Sequence, residues 1–419
     1  MTQTSSKKYA LGTRAPDFAH VAETIADVSA TLRESDAIGR AVVLFGGGTL
    51  QGMGSVPVRY DVALDCSRLN RILEHEPADL TIAVEAGCTL ANLEQTLAAA
   101  GRFLPLDAPR ASLATVGGTL ASGWLGPRRA AYGRSRDFVI GTTCVLADGT
   151  IASAGGMVVK NVTGYDLSKL YVGSLGTLVA LVRANLRTLP LPQARRLAIA
   201  SLPEGTRART VSHLAALAIE PAAAVIVKGF SKSIDGSDGL DGRVFVLFEG
   251  TQRTVDAATR ELRSTLGAAG VPETRLLERD IGPAFARLID AYIEPLGSRS
   301  ITYRSYGAPA NATPRLDAFE RVARASDLEA ETIEDLRTGD VIARISSRLT
   351  PDFAERAVAF DAQRRTALAG ARIVSAPERL RARLDGWGAP PASLATMKAV
   401  KARFDPHGTL APGRFVGRI

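Results

Sequence analysis

The chain has 419 residues, of which 46% are hydrophobic and 22% are charged, a composition that is ordinary for a globular protein and excludes a largely disordered chain. This length is too great for one compact core, so two or three folding units are expected. The net charge of +8 is spread along the chain with no basic block among aromatic residues, which argues against nucleic-acid binding.

Neither a membrane span nor a secretory leader is predicted, because no apolar run reaches the roughly 20 residues that cross a bilayer and the N-terminal residues contain no apolar block. We therefore expect a cytoplasmic protein. The three cysteines, Cys66, Cys88 and Cys144, never occur as CxxC, which predicts buried thiols in a reducing compartment and no iron–sulfur site in this chain.

The first predicted elements are a helix at 17–34 and a short buried strand, AVVLF, at 41–45. The strand runs into the glycine-rich segment GGGTLQGMG at 46–54, where backbone amides can reach a phosphate group. This segment matches neither a GxGxxG helix opening nor a P-loop. It is therefore compatible with a phosphate-binding loop and equally with a plain structural turn.

The segment LTIAVEAGCTLANLEQTLAAAG at 80–101 predicts a strand, a tight turn and a helix. Thr89 is the expected cap of the first helical turn. Leu90, Leu93 and Leu97 follow at helical spacing and form the expected buried stripe. This part of the chain is predicted to be scaffold.

Two further glycine-rich segments follow, ATVGGTLASGW at 114–124 and KNVTGYDLSKLYVGSLGTL at 160–178. The second of them bends at 173–177, where a backbone without side chains can pass close to a flat ligand. A ligand with two phosphates and two ring systems needs backbone donors from more than one segment. More than one glycine-rich loop on a chain therefore favours a dinucleotide over a mononucleotide.

Four segments together resemble the flavoproteins with the vanillyl-alcohol-oxidase or PCMH type of FAD-binding domain. They are FGGGTLQGMG at 45–54, VEAGCTLANLEQTLAAAG at 84–101, LPLDAPRASLATVGGTLASGWLGPRRAAYGRSRDFVIGTTCVLADG at 104–149 and VVKNVTGYDLSKLYVGSLGTL at 158–178. Within that family, KNVTGYDLSKL and the C-terminal FDPHGTLAPGR at 404–414 are most similar to the FAD-binding subunits of bacterial glycolate oxidases, also called glycolate dehydrogenases.

The family's catalytic subunits carry histidine-rich metal motifs in their second domain. The four histidines of this chain, His20, His75, His213 and His407, are too widely separated in sequence to form such a cluster, so no metal site is predicted. This difference favours an accessory flavin subunit over the main catalytic one.

The resemblance implies an α+β fold with a PCMH-type FAD-binding domain of two α+β subdomains and a C-terminal cap domain, whose antiparallel sheet is covered by helices on one side. The change of composition after Pro190 and Pro192 marks the main boundary. The expected divisions are an N-terminal tail at 1–14, the FAD-binding domain at 15–192, the cap domain at 193–395 and a returning segment at 396–419.

Within the cap domain, four strands are predicted at 223–229, 243–250, 299–307 and 341–346, with a helix from Val255 to Leu266. The polar, glycine-rich segment SKSIDGSDGLDG at 231–242 is predicted to be a mobile hairpin connection.

The resemblance further implies FAD held without a covalent bond, since the first loop lacks the histidine or cysteine to which some relatives attach it. By position, the implied FAD-binding residues are Gly46, Gly47, Gly48, Thr49 and Leu50 at the pyrophosphate with Gly52 close by, Thr115, Gly117, Gly118 and Ser122 in a second wall, Asp107 and Pro109 beside the flavin, and Gly176, Thr177 and Val179 at the adenosine half. Backbone amides are expected to supply most donors.

Two positions depart from the family pattern, because Leu175 stands where a glutamate is common and Ala411 stands where an asparagine is common. The second departure removes an amide side chain that could touch the flavin.

The loop interpretation also predicts that Gly47→Val abolishes FAD retention with only modest loss of fold, because the clash would be with the ligand.

Several residues have two open interpretations. Either a diphosphate contact or a solvated face accounts for the arginine group Arg128, Arg129, Arg134 and Arg136, and either flavin contact or plain core packing accounts for Tyr132 and Tyr165. Cys144 is predicted to be core, and His407 is predicted to be structural.

In the cap domain, Arg304 is the candidate for binding a substrate carboxylate, with Tyr303 as a candidate neighbour and Tyr306 nearby. A structural or interface role for Arg304 is the alternative interpretation.

The implied activity is oxidation of a 2-hydroxy acid, glycolate to glyoxylate, in a complex with a second flavoprotein subunit, which oxidises the substrate, and an iron–sulfur subunit. The complex is expected in the cytoplasm or at the inner face of the membrane. Two alternatives remain, namely a self-sufficient FAD-dependent alcohol or lactone oxidase or dehydrogenase, and a non-catalytic scaffold that has lost the flavin.

Overall fold

The computed structural model describes residues 6–157, 164–230, 234, 242–271, 274–293, 299–347 and 352–419. The chain divides into two compact units, and the first comprises Met1–Leu125, Arg134–Leu191 and Ala376–Ile419. The second comprises Gly126–Gly133 and Pro192–Ser375. Lys160 to Thr163, and nearly all of the predicted hairpin connection at 231–242, lie outside the described residues.

The first unit contains two main sheets. The parallel sheet has the strand order Phe18–Val21, Val62–Asp65, Val42–Phe45. The five-stranded sheet is antiparallel throughout, in the order Ile72–Glu76, Thr81–Glu85, Ala180–Arg187, Val139–Val145, Ile151–Gly155. A short pair joins Arg102–Phe103 to Leu189–Pro190.

Helices cover these sheets. Those of the first unit are Ile25–Ala37, Leu90–Ala99, Val116–Ser122, Ser135–Phe138, Ser168–Tyr171, Glu378–Arg381 and Leu394–Phe404, with 3-10 turns at Ser6–Tyr9 and Val416–Arg418. One apolar core joins the first helix to both sheets, with members that include Val28, Leu32, Val42, Leu64, Val145 and Val182. The first unit thus consists of two sheets with their helices, joined by a shared apolar core.

The prediction of one helix at 17–34 was wrong. Residues Phe18–Val21 form a strand, and the helix begins only at Ile25. A capping box sets this start, because the Thr24 hydroxyl accepts from the Asp27 amide while the Asp27 carboxylate accepts from the Thr24 amide at 2.8 Å. A capped first turn leaves the preceding residues free to pair in a sheet.

The prediction for 80–101 is confirmed. The strand is Thr81–Glu85, the helix is Leu90–Ala99, and the Thr89 side chain accepts from the Asn92 amide. Leu90, Leu93 and Leu97 are the buried residues of this helix.

The second unit is built on one eight-stranded antiparallel sheet. Its strands lie in the order Thr274–Leu277, Ala194–Leu202, Gly242–Gly250, Ala223–Lys228, Glu329–Asp335, Val341–Ser346, Ser300–Ser305, Ala371–Ser375. All four strands predicted from the sequence of this region are among them. Its helices are Arg129–Tyr132, Arg207–Ala215, Gln252–Ala268, Ile281–Ala291, Ala312–Ala325 and Phe353–Ala367, with a 3-10 turn at Pro309–Asn311.

Helices lie on both faces of this sheet. Leu214, Val255 and Leu262 share a cluster with Val244 and its neighbours on one face, and Tyr303 on the same face contacts the rings of Phe319 and Phe360. The helix Ile281–Ala291 lies at the other face, where Ala284 lines a cavity with Ile199 and Phe245. The predicted sheet covered by helices is confirmed, although cover on one side only is wrong.

The two compact units differ from the predicted domains in two places. The predicted domain boundaries themselves stay a prediction. Gly126–Gly133 groups with the second unit, and Ala376 onward groups with the first. Within the first unit, the returning segment is fixed by Leu410, which forms a parallel bridge to Val42. Lys401 adds hydrogen bonds from its ammonium to the carbonyl oxygens of Thr177 and Leu410, each 2.7 Å long.

Candidate functional site

A cleft of about 760 Å³, including its opening to solvent, lies within the first unit. Its walls come from six parts of the chain. They are the end of the strand Val42–Phe45 with the loop that follows, Cys66, Ala86 with Gly87, Thr115 with the helix Val116–Ser122, the segment 175–181, and Arg414 near the C terminus.

The first wall is the segment Gly46–Leu50, which we call the first loop. Among the described residues, no backbone amide from Gly46 to Leu50 donates a hydrogen bond to another protein atom. Gly48 has a φ of +71°, a conformation that only glycine adopts readily. Consecutive unsatisfied amides in such a turn form a concave site for an anion.

The second wall differs from its prediction as a glycine loop, because Val116–Ser122 is a short helix capped by Thr115. We call it the glycine helix. The amides of its first turn already have acceptors, since Gly117 donates to the Ala86 carbonyl at 2.7 Å and Gly118 donates to the Thr115 hydroxyl at 3.2 Å. This wall therefore supplies shape to the cleft, and few backbone donors.

At several glycines of the cleft, neighbouring parts of the protein leave no room for a side chain. A β-carbon on Gly47 would lie 1.6 Å from the Leu113 carbonyl oxygen, and one on Gly46 would lie 2.3 Å from the Thr115 hydroxyl. The expectation that Gly47→Val leaves the fold nearly intact is therefore wrong. Gly118 differs, because it is exposed and a β-carbon there would meet only the Thr115 hydroxyl at 3.1 Å.

The bend at 173–177 also packs against protein. Gly173 and Leu175 donate from their amides to carbonyls of the glycine helix, at 2.9 and 2.7 Å, and a β-carbon on Gly123 would lie 2.8 Å from the Gly173 Cα. Leu175 has a φ of +53°, which is strained for a leucine. The bend therefore keeps its shape despite the unusual residue, and it borders the cleft through Leu175 and Gly176.

Most of the predicted cofactor residues meet in this one cleft. Those that line it are Gly46, Gly47, Gly48, Thr49, Leu50, Thr115, Gly117, Gly118, Ser122, Gly176 and Val179. Gly52, Asp107, Pro109 and Thr177 are not among its lining residues. The Asp107 carbonyl instead accepts from the Trp124 indole at 2.9 Å, and the Thr177 hydroxyl donates to the Ser174 carbonyl at 2.7 Å.

Sequence reasoning missed Arg414, which is 3% exposed and lines the cleft. Its guanidinium donates to the Gln51 side-chain oxygen at 2.6 Å. Arg414 is the last residue of the C-terminal motif FDPHGTLAPGR at 404–414. Ala411 is buried in an apolar cluster with Tyr9 and Phe45, so this position does not border the cleft.

Cys66 is the ionisable cysteine of the cleft wall. Burial, and then the nearby Asp65 carboxylate, raise the pKa of its thiol to about 12. The thiol is therefore neutral at physiological pH and adds no negative charge to the cleft.

Neither open interpretation of the arginine group holds for its first two members. Arg128 pairs with Glu249 at 3.3 Å, and Arg129 pairs with Asp340 at 2.5 Å, in both cases with a fully buried carboxylate of the second unit. Arg134 instead pairs with Asp137 at 3.6 Å in the first unit and is exposed. Arg128 and Arg129 thus each form an ion pair with a buried carboxylate.

The other residues left open have simple environments. Burial, and then Glu249, raise the pKa of Tyr132, whereas Tyr165 is 92% exposed and packs against little. Cys144 is buried, as predicted. The His407 ring contacts the Asp36 carboxylate at 2.9 Å, which is consistent with a structural role.

Arg304 and Tyr303 are buried in the second unit. The Arg304 guanidinium, 1% exposed, donates to Asp340 through two nitrogens at 3.1 and 2.6 Å. The Tyr303 hydroxyl donates to Asp361 at 3.3 Å. These contacts favour the structural interpretation of Arg304, because its charge is already matched by a carboxylate.

Membrane-crossing helices and metal-binding clusters are both absent from the described residues. No helix there combines the length and apolar character that a membrane crossing requires. Across the same residues, no three histidine, cysteine, aspartate or glutamate side chains are grouped so that they could hold a metal ion.

Part of the chain is similar in sequence to known proteins. Residues 16–155 match the protein family described as FAD binding domain. Glycolate oxidase subunit GlcD from Bacillus subtilis is 26% identical over 416 residues, which cover 90% of this chain and 84% of that protein. Glycolate oxidase subunit GlcE from Escherichia coli is 34% identical over 211 residues, which cover 50% of this chain and 56% of that protein.

A third relative is the D-lactate dehydrogenase from Archaeoglobus fulgidus, 35% identical over 178 residues, or 42% of this chain and 39% of that protein. The chain thus matches little more than half of GlcE and less than half of this dehydrogenase. These two shorter alignments therefore cover only part of each relative.

Solved structures show the same fold. A p-cresol methylhydroxylase with bound substrate has a TM-score of 0.74 at 20% identity, over 96% of this chain and 89% of that one. A 4-ethylphenol oxidase from Gulosibacter chungangensis has a TM-score of 0.70 at 16% identity, over 98% of this chain and 92% of that one. At these identities the likeness concerns the fold alone, and it confirms the predicted fold class.

Proposed function

We propose that this chain, whose residues 16–155 match the protein family described as FAD binding domain, is the FAD-binding subunit of a glycolate oxidase complex with FAD as its cofactor. The complex would oxidise glycolate, a 2-hydroxy acid, to glyoxylate. The observation that carries this proposal is the cleft of the first unit, whose first loop presents unsatisfied amides beside a buried arginine. The substrate class is proposed from the relatives named for glycolate and D-lactate.

The cleft residues fit FAD. The first loop would bind the diphosphate through the amides of Gly46 to Leu50, because an anion satisfies donors that the described protein atoms leave free. The glycine helix would form a flat wall, since Gly118 has no side chain to project from it. Val179 and Leu181 on the bend side are apolar and buried, so they would exclude water from the ligand.

FAD supplies the two-electron oxidation chemistry when bound. The chain's own part is to bind, orient and shield it. Cys66 stays protonated in the cleft wall, so no thiolate competes there as a nucleophile. Thr115 holds the glycine helix against the first loop, because its hydroxyl caps that helix and occupies the space next to Gly46.

The second unit contributes one observation that supports the proposed subunit role. The candidate for a substrate carboxylate, Arg304, already pairs with Asp340, so we propose that substrate oxidation takes place on a second flavoprotein subunit. An iron–sulfur subunit would receive the electrons. A cytoplasmic location, at the inner face of the membrane through the complex, belongs to the same proposal.

The test compares the chain alone with the assembled complex. The purified chain should take up FAD and show a flavin spectrum, yet reduce no dye with glycolate or D-lactate, whereas the complex should reduce it. Dye reduction by the isolated chain with any alcohol or lactone would instead support a self-sufficient enzyme. If no flavin spectrum develops after FAD is added, the FAD site itself is refuted.

A matched pair of variants tests the cleft. Gly118→Val places a side chain in the cleft at an exposed helical glycine, and Gly267→Val makes the same change in an exposed helical position with open space around it. We expect Gly118→Val to lose FAD with its circular dichroism spectrum retained, and Gly267→Val to keep FAD. Equal FAD retention by both variants would place the cofactor elsewhere.

A further inference from the structure

Arg414 is a buried cation in the cleft wall with an incomplete set of partners. One guanidinium nitrogen, Nη2, donates to the Gln51 side-chain oxygen at 2.6 Å and to the Gln51 carbonyl at 3.3 Å. The other, Nη1, is buried and has no acceptor among the described residues. Gln51 itself is held by a bond from its side-chain nitrogen to the Leu44 carbonyl at 2.9 Å. The arginine therefore has a fixed position, and its buried Nη1 is a donor left over.

A second cation lies beside it. Arg381 donates to the same Gln51 carbonyl at 3.0 Å. Burial, and then the charge of Arg381, lower the pKa of Arg414, while Tyr60 opposes that change. Neither arginine has a carboxylate within ion-pair distance in the described part of the chain, and Glu378 acts on Arg381 only from farther away. Two guanidinium groups thus converge on one carbonyl without a counter-ion from the protein.

Like charges that converge in a buried site are unfavourable unless an anion neutralises them. Apart from Arg414, the residues that line the cleft carry no formal charge at neutral pH. The first loop, with its unsatisfied amides, directly precedes Gln51. The amides and the guanidinium thus offer donors to one anion in the same wall.

We propose that Arg414 binds the diphosphate of FAD, with Arg381 as a positioning residue that holds Gln51 in place and adds positive charge. This inference rests on FAD as the cofactor and goes beyond it, because it assigns part of the cofactor's binding to the C-terminal segment. The first unit would then be complete as an FAD site only when the residues after Ala376 have folded back onto it.

The experiment measures binding of four ligands to the full-length protein freed of flavin. FAD and ADP contain the diphosphate, FMN contains a single phosphate, and riboflavin contains none. Binding is followed by flavin fluorescence, and for ADP by calorimetry. Arg414→Gln should weaken FAD and ADP by the same factor, about ten- to hundredfold for the loss of a charged hydrogen bond, and should leave riboflavin unchanged.

Two further variants control for structure. Arg59→Gln removes an exposed arginine outside the cleft that also donates to backbone carbonyls, those of Gly39 and Gly408. This variant should bind all four ligands as the wild type does. Arg414→Lys keeps the charge and should recover part of the lost affinity. Since Lys lacks the planar fork, recovery should be incomplete.

A measurement on the wild type guards against a folding defect in Arg414→Gln. Inorganic pyrophosphate should compete with FAD for the flavin-free wild type and raise its melting temperature. If Arg414→Gln binds FAD within about twofold of the wild type, or if riboflavin and FAD weaken equally, the assignment to the diphosphate is refuted. Failure of the wild type to bind FAD at all would instead refute the FAD site itself.

Discussion

The two units treat buried arginines differently. In the second unit, Arg304, Arg344 and Arg364 are each at most 1% exposed, and each pairs with a carboxylate, of Asp340, Glu331 and Asp361 respectively. In the first unit, Arg414 is buried with an amide and a carbonyl as its acceptors and a second arginine beside it. Each arginine of the first pattern pairs with a protein carboxylate, whereas Arg414 has no carboxylate within ion-pair distance among the described residues.

The second unit also contains a buried acid, Asp335, without an ion pair among the described residues. Its carboxylate accepts from the backbone amides of Arg337 and Thr338, each at 3.0 Å. Burial, and then the charge of Asp340, raise the pKa of Asp335 to about 7, despite these hydrogen bonds. A carboxyl group can lose its charge by protonation, but a guanidinium group at neutral pH cannot. The difference explains why only the arginine calls for a bound anion.

The largest effect is expected for Gly47→Val, which tests how much of the first loop serves the fold. The new side chain would collide with the Leu113 carbonyl, so the first unit should fail to form its native structure. Limited proteolysis and circular dichroism measure this. Gly156→Val is the matched control, because a β-carbon at Gly156 meets no atom of the described residues within 4 Å. A folded Gly47→Val that merely lacks FAD would show that the loop belongs to the ligand alone.

A large effect is also expected for Asp340→Asn, which leaves Arg129 and Arg304 without their carboxylate. Breaking a buried pair in this way costs about 3–5 kcal/mol of the free energy of unfolding, and urea denaturation should show that loss. Asp327→Asn is the control, because Asp327 pairs with Arg356 while 76% exposed and should cost about 1 kcal/mol or less. Equal stability of the two variants would weaken the argument drawn from Arg414, since buried arginines would then need no counter-ion.

The smallest effect concerns Asp335 and pH. Its folded pKa of about 7 lies above the unfolded value, so the folded state binds the extra proton and becomes more stable as pH falls from 8 to 5. Relative to Asp335→Asn, the wild type should gain about 2 kcal/mol over that range. Denaturation of both proteins at several pH values measures the difference between them. Parallel stability curves would mean that Asp335 titrates normally and that its site tolerates a charge.

Local patterns predicted part of this structure. Short strand-like segments predicted the four strands of the second sheet, and the spacing after Thr89 predicted a capped helix, because both depend on neighbours within a few residues. The helix expected at 17–34 failed for a similar local reason, since the capping box at Thr24 and Asp27 was not recognised.

The candidate site shows the limit of such reasoning. The glycine-rich segments were identified, but the sequence does not tell which glycine adjoins the ligand and which adjoins the protein. Gly46, Gly47 and Gly117 have neighbours contributed by distant residues, such as Thr115, Leu113 and Ala86. Likewise, nothing near Arg128 or Arg129 in the sequence points to Glu249 or Asp340 as their partners.

By itself, the sequence determined the α+β character, the glycine-rich segment that contains the loop at 46–50, and the motifs that resemble FAD-binding proteins, because these are properties of continuous segments. Tertiary structure alone decided which amides stay free, which arginines are neutralised, and that Arg414 from the C-terminal segment borders the cleft. Hydrogen bonding and charge compensation depend on groups brought together from distant parts of the chain, so they become visible only once it has folded.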